Sequence, residues 1–189
     1  MRHIGTITLR TERLVLCQFA EMDAEFMYKN WTSSENVTRY LRWLPHKDVQ
    51  ETRSLIREWE ENYRRPTFYH WAIVLRSINE PIGSISVVDM DDNAGMVHIG
   101  YCLGEEWWHQ GIATEALARV IDFFFEVVGA ERVESQHDPD NPNSGRVMEK
   151  CKMRYERTIK NGDVSNRGIV DAKMYAITRA DWQRTKEKI

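Results

Sequence analysis

Residues 109–114 read His109-Gln110-Gly111-Ile112-Ala113-Thr114, small residues placed where a helical pattern begins. The first turn of a helix leaves backbone N–H groups unpaired and pointing outward. With a glycine letting another group come close, such donors can hold a phosphate. Proton transfer needs a group that titrates near neutrality, and His98 and His137 qualify. A histidine that simply bonds a neighbour is the plainer alternative for each, and at the strand end occupied by His137 the plainer alternative leads. Cys102 shares a strand face with His98. Four residues along a strand span about 13 Å at roughly 3.3 Å per residue, too far for a Cys–His nucleophile pair. Cys17, Cys102 and Cys151 therefore read as packing residues.

These residues need elements to hold them. Val97, Ile99, Tyr101 and Leu103 alternate with His98, Gly100 and Cys102, which predicts a strand. From Ala113 the period changes: Ala113, Ala116, Leu117, Val120, Ile121, Phe124 and Val128 recur at helical spacing, with Glu115, Arg119, Asp122 and Glu126 facing away. Upstream, residues 4–8 and Leu14-Val15-Leu16 give a first strand, 23–31 a helix, and Ser34 the cap of a short helix through 41. Asp48 opens another helix, ended by Arg64-Arg65-Pro66. Residues 69–75 and 82–88 form a hairpin about Asn79-Glu80-Pro81, and an acidic loop follows over 89–95. Downstream come a strand over 132–137, a short helix over 146–151, strands over 155–159 and 170–177 paired around Asn161-Gly162, and a helical turn from Asp181. Asn141 with Pro142 makes a helix start, as N-cap and N1. There is no internal repeat or low-complexity tract.

A chain of 189 residues suits one domain, residues 1–189, with a sizeable core. Charged residues make up 29% and are mixed in sign, which argues against disorder. A net charge of -3 and a pI near 6.1 argue against a nucleic-acid partner. Three widely spaced cysteines without a CxxC imply neither a disulfide framework nor a zinc site, and no metal is expected. The first residues lack the apolar run of a signal peptide. No stretch is long and apolar enough to span a bilayer, so no membrane partner is expected and a reducing cytoplasm is the default location.

Tyr101-Cys102-Leu103, followed by Trp107-Trp108-His109-Gln110-Gly111-Ile112-Ala113-Thr114-Glu115-Ala116, resembles the cofactor motif of the GNAT superfamily of acyl-CoA-dependent N-acyltransferases. The family pattern Gln/Arg-x-x-Gly-x-Gly/Ala stands here as Trp108-His109-Gln110-Gly111-Ile112-Ala113. A leading Trp is common in the branch of RimJ/RimL-like ribosomal-protein alanine N-acetyltransferases. The resemblance runs from Thr11-Glu12-Arg13-Leu14 to Trp182. It implies a mixed α/β (α+β) fold: a twisted, mostly antiparallel sheet whose two central parallel strands splay apart, flanked by helices. It also implies transfer of an acetyl group from acetyl-CoA to a primary amine by direct attack in a ternary complex. The amine is a protein N-terminal α-amine or a small molecule, and a homodimer stays open.

Acyl transfer to an amine needs a neutral amine, a donor for the oxyanion and a proton for the leaving thiolate. The resemblance puts His98 where many relatives carry a glutamate base, and puts Ser144 near the thioester sulfur as the acid. Backbone donors of His109, Gln110, Gly111, Ile112, Ala113 and Thr114 would hold the pyrophosphate. Tyr101, Cys102 and Leu103 would pair with pantetheine like an added strand, a bulge there aiming an N–H at the thioester oxygen. Asn141-Pro142-Asn143-Ser144 with Arg146-Val147-Met148-Glu149-Lys150 matches the Asn-x-x-Ser-x-Arg-Val-x-x-Lys segment, in which Asn141 contacts pantetheine or an ordered water. Other branches carry a tyrosine acid where Met148 stands, and a thioether cannot donate a proton. Asp89, Asp91 and Asp92 could draw in a cationic amine, although a solvated hairpin loop is the more ordinary account. Lys152 and Arg157 stand where the family has glycine. With the histidine in place of glutamate, they motivate an alternative: a CoA-binding or interaction module with weakened catalysis.

Overall fold

The computed structural model describes residues 1–187. Its strands are β1 (Leu9–Arg10), β2 (Leu14–Cys17), β3 (His70–Leu75), β4 (Glu80–Asp91), β5 (Met96–Leu103), β6 (Arg132–His137), β7 (Arg154–Ser165) and β8 (Gly168–Thr178). They form one sheet in the order β1-β2-β3-β4-β5-β6-β8-β7. Every junction is antiparallel except β5 with β6.

The helices are α1 (Ala24–Met27), α2 (Glu35–Thr38), α3 (Val49–Asn62), α4 (Ile112–Phe123), α5 (Pro142–Lys150) and α6 (Arg179–Lys186). Two are capped as their sequences predict. Ser34 accepts from the Val37 N–H, and Asp48 accepts from the N–H groups of Gln50 and Glu51. The period-two and helical patterns meet in the core. Trp71, Ile73, Val97 and Ile99 from the sheet pack against Leu117, Val120, Phe123 and Phe124 on α4 and the turn that continues it. The opposite face of the sheet carries a second cluster, Phe19, Met27, Trp31, Ile56 and Ala72, beneath α1 and α3.

Several local expectations give way to tertiary context. Residues 4–8 are not a strand. Gly5 is left-handed at φ 70°, and this stretch is tied down by Gly5 N–H to the Pro66 carbonyl and by the Thr6 side chain to Phe68 and His70. The helix expected over 23–31 is split into a 3-10 turn (Glu21–Asp23), α1 and a π-helical turn (Tyr28–Thr32). Asn161-Gly162 is not the turn between β7 and β8. Both strands run on to Ser165 and Gly168, and Asn161-Gly162 lies in a register shift whose exposed groups Asp171 satisfies, accepting from Lys160 Nζ and the Asn161 N–H.

Asn141 does take the N-cap position of α5 with Pro142 behind it, but its side chain makes no capping bond. At the other end of α5, Lys152 is left-handed at φ 66°. Its N–H meets the Glu149 carbonyl and that of Met153 meets Met148, the paired bonds of a Schellman helix end. Lys152 thus adopts the conformation that a glycine would take there. Arg157 is extended within β7, beside a register shift.

Candidate active site

The link from β5 to α4 is built by close packing. A Cβ on Gly104 would lie 2.3 Å from the Asn30 carbonyl oxygen and 2.7 Å from the Trp107 ring, so only glycine lets the strand end there. Trp107 is buried below, and the Trp108 indole N–H donates to the Leu103 carbonyl at 2.7 Å. His109 (φ 61°) and Gly111 (φ 75°) are both left-handed. The first bond of the helix runs from Glu115 N–H to the Gly111 carbonyl. Among the described residues, no protein group accepts from the N–H groups of residues 109–114. Left-handed residues before a helix turn such donors into one concavity, which suits an anion.

That loop is braced from far away in the chain. Arg13 donates from Nη1 to the Gln110 carbonyl at 2.9 Å and from Nε to Glu115 Oε2 at 2.6 Å. Thr11 Oγ1 and the Arg13 N–H donate to the other Glu115 oxygen. Burial pushes the Glu115 carboxyl up, but the bonds from Thr11 and Arg13 outweigh it and hold the group below its ordinary value. The Gln110 side chain turns back to the Glu106 carbonyl at 2.8 Å, and Gln110 does not line the cavity described next.

β5 and β6 pair only across three residues, Met96–His98 against Arg132–Glu134. Beyond them the strands diverge, and the Ser135 hydroxyl donates to the Ile99 carbonyl at 2.8 Å in the fork. Gly104 N–H bonds the Ile82 carbonyl of β4. By antiparallel alternation Cys102 and Gly100 also face β4, and the main-chain groups of Tyr101 face the gap. The bulge in this region lies on β4 at Val88, opposite the Ile99–His98 step, and not on residues 101–103.

The gap opens into a cavity of about 1070 Å³. His98, Tyr101, Cys102, Leu103, His109, Gly111, Ile112, Ala113, Thr114, Asn141 and Ser144 all line it, so of the residues predicted from sequence only Gln110 stands aside.

His98 is largely buried, with Nδ1 3.9 Å from Glu134 Oε2. Burial lowers its pKa, and the charges of Glu134 and Asp89 only partly offset that. Glu134 is itself held by Arg132 Nε at 2.6 Å. His137 also lines the cavity, but its Nδ1 bonds the Asp138 carbonyl at 2.8 Å and its buried Nε2 has no partner among the described residues. That nitrogen is packed against α5, where a Cβ on Gly145 would lie 2.6 Å from it.

The Tyr101 phenol donates to the Ser144 carbonyl at 2.9 Å and lies 3.0 Å from Ser144 Oγ. Burial raises the pKa of that phenol, and the bond with Ser144 only partly opposes it. Burial also raises the Cys102 thiol, whose sulfur lies 3.3 Å from Ser84 Oγ, and pushes Cys151 up to about 12. Neither sulfur is a ready nucleophile. The acidic loop turns elsewhere: Asp92 pairs with His3 and the N-terminal ammonium, Asp91 caps its own turn, and none of Asp89, Asp91 and Asp92 lines the cavity.

Sequence reasoning gave no role to Arg13, Glu134 or the Tyr101 side chain, and none to Glu115, Arg146 and Lys150 beyond their places in the matched motifs, although Arg146 and Lys150 line the cavity. Arg13 carried one signal, its place in Thr11-Glu12-Arg13-Leu14, where the family resemblance begins.

A family model described as an acetyltransferase (GNAT) domain matches residues 13–154. The uncharacterized N-acetyltransferase p20 of Bacillus licheniformis is 26% identical over 175 residues, which cover 93% of this chain and 98% of that protein. Two solved structures share the fold. A ribosomal-protein-S5-alanine acetyltransferase from Vibrio fischeri superposes at a TM-score of 0.80 with 17% identity, over 93% of this chain and 98% of that one. The microcin C7 self immunity acetyltransferase MccE, in complex with acetyl-CoA and AMP, superposes at 0.80 with 19% identity, over 89% and 93%.

Proposed function

Because this chain belongs to the GNAT acetyltransferase family, we propose that it transfers the acetyl group of acetyl-CoA to a primary amine by direct attack in a ternary complex. The observation that carries this reading is the set of unpaired N–H donors over residues 109–114 at one end of a fork between β5 and β6. The residues present fit coenzyme A. The donors and the cations Arg146 and Lys150 suit its phosphates, and the free main-chain edge at Tyr101 suits its amide-bearing arm. Acetyl-CoA, when bound, supplies the electrophilic thioester carbonyl.

In this reading His98 takes the proton that the amine must lose. Its lowered pKa keeps the imidazole neutral at working pH, and the apolar walls nearby disfavour an ammonium. Ser144 donates to the departing thiolate, with Tyr101 holding it in place. Burial of the Cys102 and Cys151 thiols supports direct attack over a route through a cysteine acyl-enzyme. Asn141 faces the same cavity as a neutral polar contact.

Trp108 in the phosphate motif and the fold likeness to a ribosomal-protein acetyltransferase support a RimJ/RimL-like affiliation. Among the described residues no helix is long and apolar enough to cross a membrane. The three free thiols suit a reducing cytoplasm. The alternative of a catalytically weakened module loses one of its motives, since Lys152 preserves the helix end that a glycine would make.

The test is release of free CoA from acetyl-CoA in the presence of an amine panel, with the acetylated amine identified by mass. His98→Ala should lose about 100-fold in kcat with acetyl-CoA affinity kept. Equal rates in the two proteins would remove His98 from the mechanism.

A further inference from the structure

Ser144 is reached from both arms of the fork. From β5, the Tyr101 phenol donates to its carbonyl at 2.9 Å and lies 3.0 Å from its Oγ. From β6, contact is made one residue further on. His137 ends β6, and its ring lies against Gly145, which is buried in α5. A Cβ on Gly145 would stand 2.6 Å from His137 Nε2, 3.1 Å from Cε1 and 3.2 Å from Cδ2. The imidazole therefore fills the place where any other residue would carry its side chain, and the helix rests directly on the ring.

The ring is held where it is. Nδ1 bonds the Asp138 carbonyl at 2.8 Å. A carbonyl only accepts, so the proton sits on Nδ1. The Tyr175 ring of β8 packs on the imidazole with centroids 5.5 Å apart, and the Tyr175 phenol donates to Glu149 Oε1 of α5 at 3.2 Å. His137 and Tyr175 thus support the same helix at two points. Burial lowers the His137 pKa, which keeps the ring neutral. Its Nε2 is buried and has no partner among the described residues. That nitrogen faces α5, so it is closed to an amine, and this imidazole is not placed to take a proton from a substrate. Packing, and not proton transfer, is what the ring offers the site.

We infer that His137 is a positioning residue and Gly145 its socket: the ring seats the start of α5 so that Ser144 meets Tyr101 and lines the fork between β5 and β6. The inference rests on the reading of Ser144 as the acid for the departing thiolate. Only one peptide separates Ser144 from the socket. A shift of about 1 Å there is enough to break a hydrogen bond of ordinary length and to misplace a reacting group.

The experiment uses the full chain with acetyl-CoA and whichever of spermidine, tyramine, glucosamine or an alanine-initiated peptide is turned over fastest. Gly145→Ala drives a methyl group into the ring. Its kcat should fall about tenfold, with the acetyl-CoA Kd from calorimetry close to the original. His137→Asn keeps a donor for the Asp138 carbonyl and empties the socket. Combined with Gly145→Ala, it should recover about fivefold in kcat over Gly145→Ala alone, because the methyl enters the space the ring has left. Gly145→Ala with Ser144→Ala should be no slower than Ser144→Ala alone, a result that general damage to the fold would not give. An unchanged rate in Gly145→Ala, no recovery in the pair, or losses that multiply with Ser144→Ala each overturn the inference while acetyl transfer stands. If circular dichroism shows that Gly145→Ala does not fold, His137→Asn decides. Its loss in kcat should vanish in the Ser144→Ala background, and a loss that persists there overturns the inference. If none of the four amines is acetylated although acetyl-CoA binds, the transfer reading fails, and the role given to His137 falls with it.

Discussion

Ser144 Oγ lies 3.0 Å from the phenol oxygen of Tyr101, and the same phenol donates to the Ser144 carbonyl at 2.9 Å. One hydroxyl therefore anchors both the side chain and the backbone of the residue proposed as the acid. With the phenol proton on the carbonyl, the Ser144 hydroxyl donates to the phenol oxygen, a bond it would exchange for one to the departing thiolate. Ser144→Ala should lower kcat about 100-fold, and Tyr101→Phe about tenfold through lost positioning. The double variant should be no slower than Ser144→Ala alone, as for groups that act as a unit. Steady-state rates of CoA release decide this; additive losses would separate the two residues.

The pH profile reads the state of His98. Its pKa is lowered, with burial as the main cause, so the acid limb of kcat/KM should fall below the ordinary imidazole value of about 6.5. Glu134 acts the other way, since its negative charge favours the imidazolium. Glu134→Gln should therefore move the limb to still lower pH. A shift toward alkaline pH would mean that another group sets the limb.

Arg13 and Glu115 are predicted to act on cofactor affinity and not on the chemical step. The Arg13 side chain is 44% exposed and that of Glu115 19%, so solvent screening discounts the pair to about 1 kcal/mol. Arg13→Met should raise the KM for acetyl-CoA about fivefold and leave kcat near the original. Initial rates at saturating amine measure both. An unchanged KM would show that the loop holds its shape without the brace.

Lys152 offers a stability test with no bearing on the chemistry. A non-glycine residue held at φ 66° is strained. Lys152→Gly should stabilise the fold by about 1 kcal/mol, or roughly 2–4 °C in Tm. Thermal unfolding followed by circular dichroism would show it, and a lower Tm would mean that the lysine chain contributes something the backbone does not.

Local pattern carried much of this architecture. The alternation of Val97, Ile99, Tyr101 and Leu103 and the spacing from Ala113 onward placed β5 and α4, because burial on one face leaves a periodic trace in the residues themselves. Ser34 and Asp48 announced their helices because a cap bonds its own next turn. Asn161-Gly162 misled for the same reason: it is a strong turn signal locally, yet the pairing of β7 with β8 continues past it.

In the site, the groups facing the cavity came from one contiguous motif and one helix start. Their supports did not. Arg13 reaches Glu115 across 102 positions and Asn166 reaches Thr38 across 128. Contacts of that range leave no periodic mark in a single sequence. Gln110 belongs to the motif but turns its amide inward to Glu106, a rotamer that spacing does not specify.

The hydroxyl of Ser135 on the Ile99 carbonyl acts as a wedge at the crotch of a Y. It meets the oxygen at the point where the next rung would form, and beyond His98 and Glu134 the two arms stand apart. On the acetyl-transfer proposal, a visiting thioester would meet an aperture already set ajar and spend none of its grip on prising strands apart.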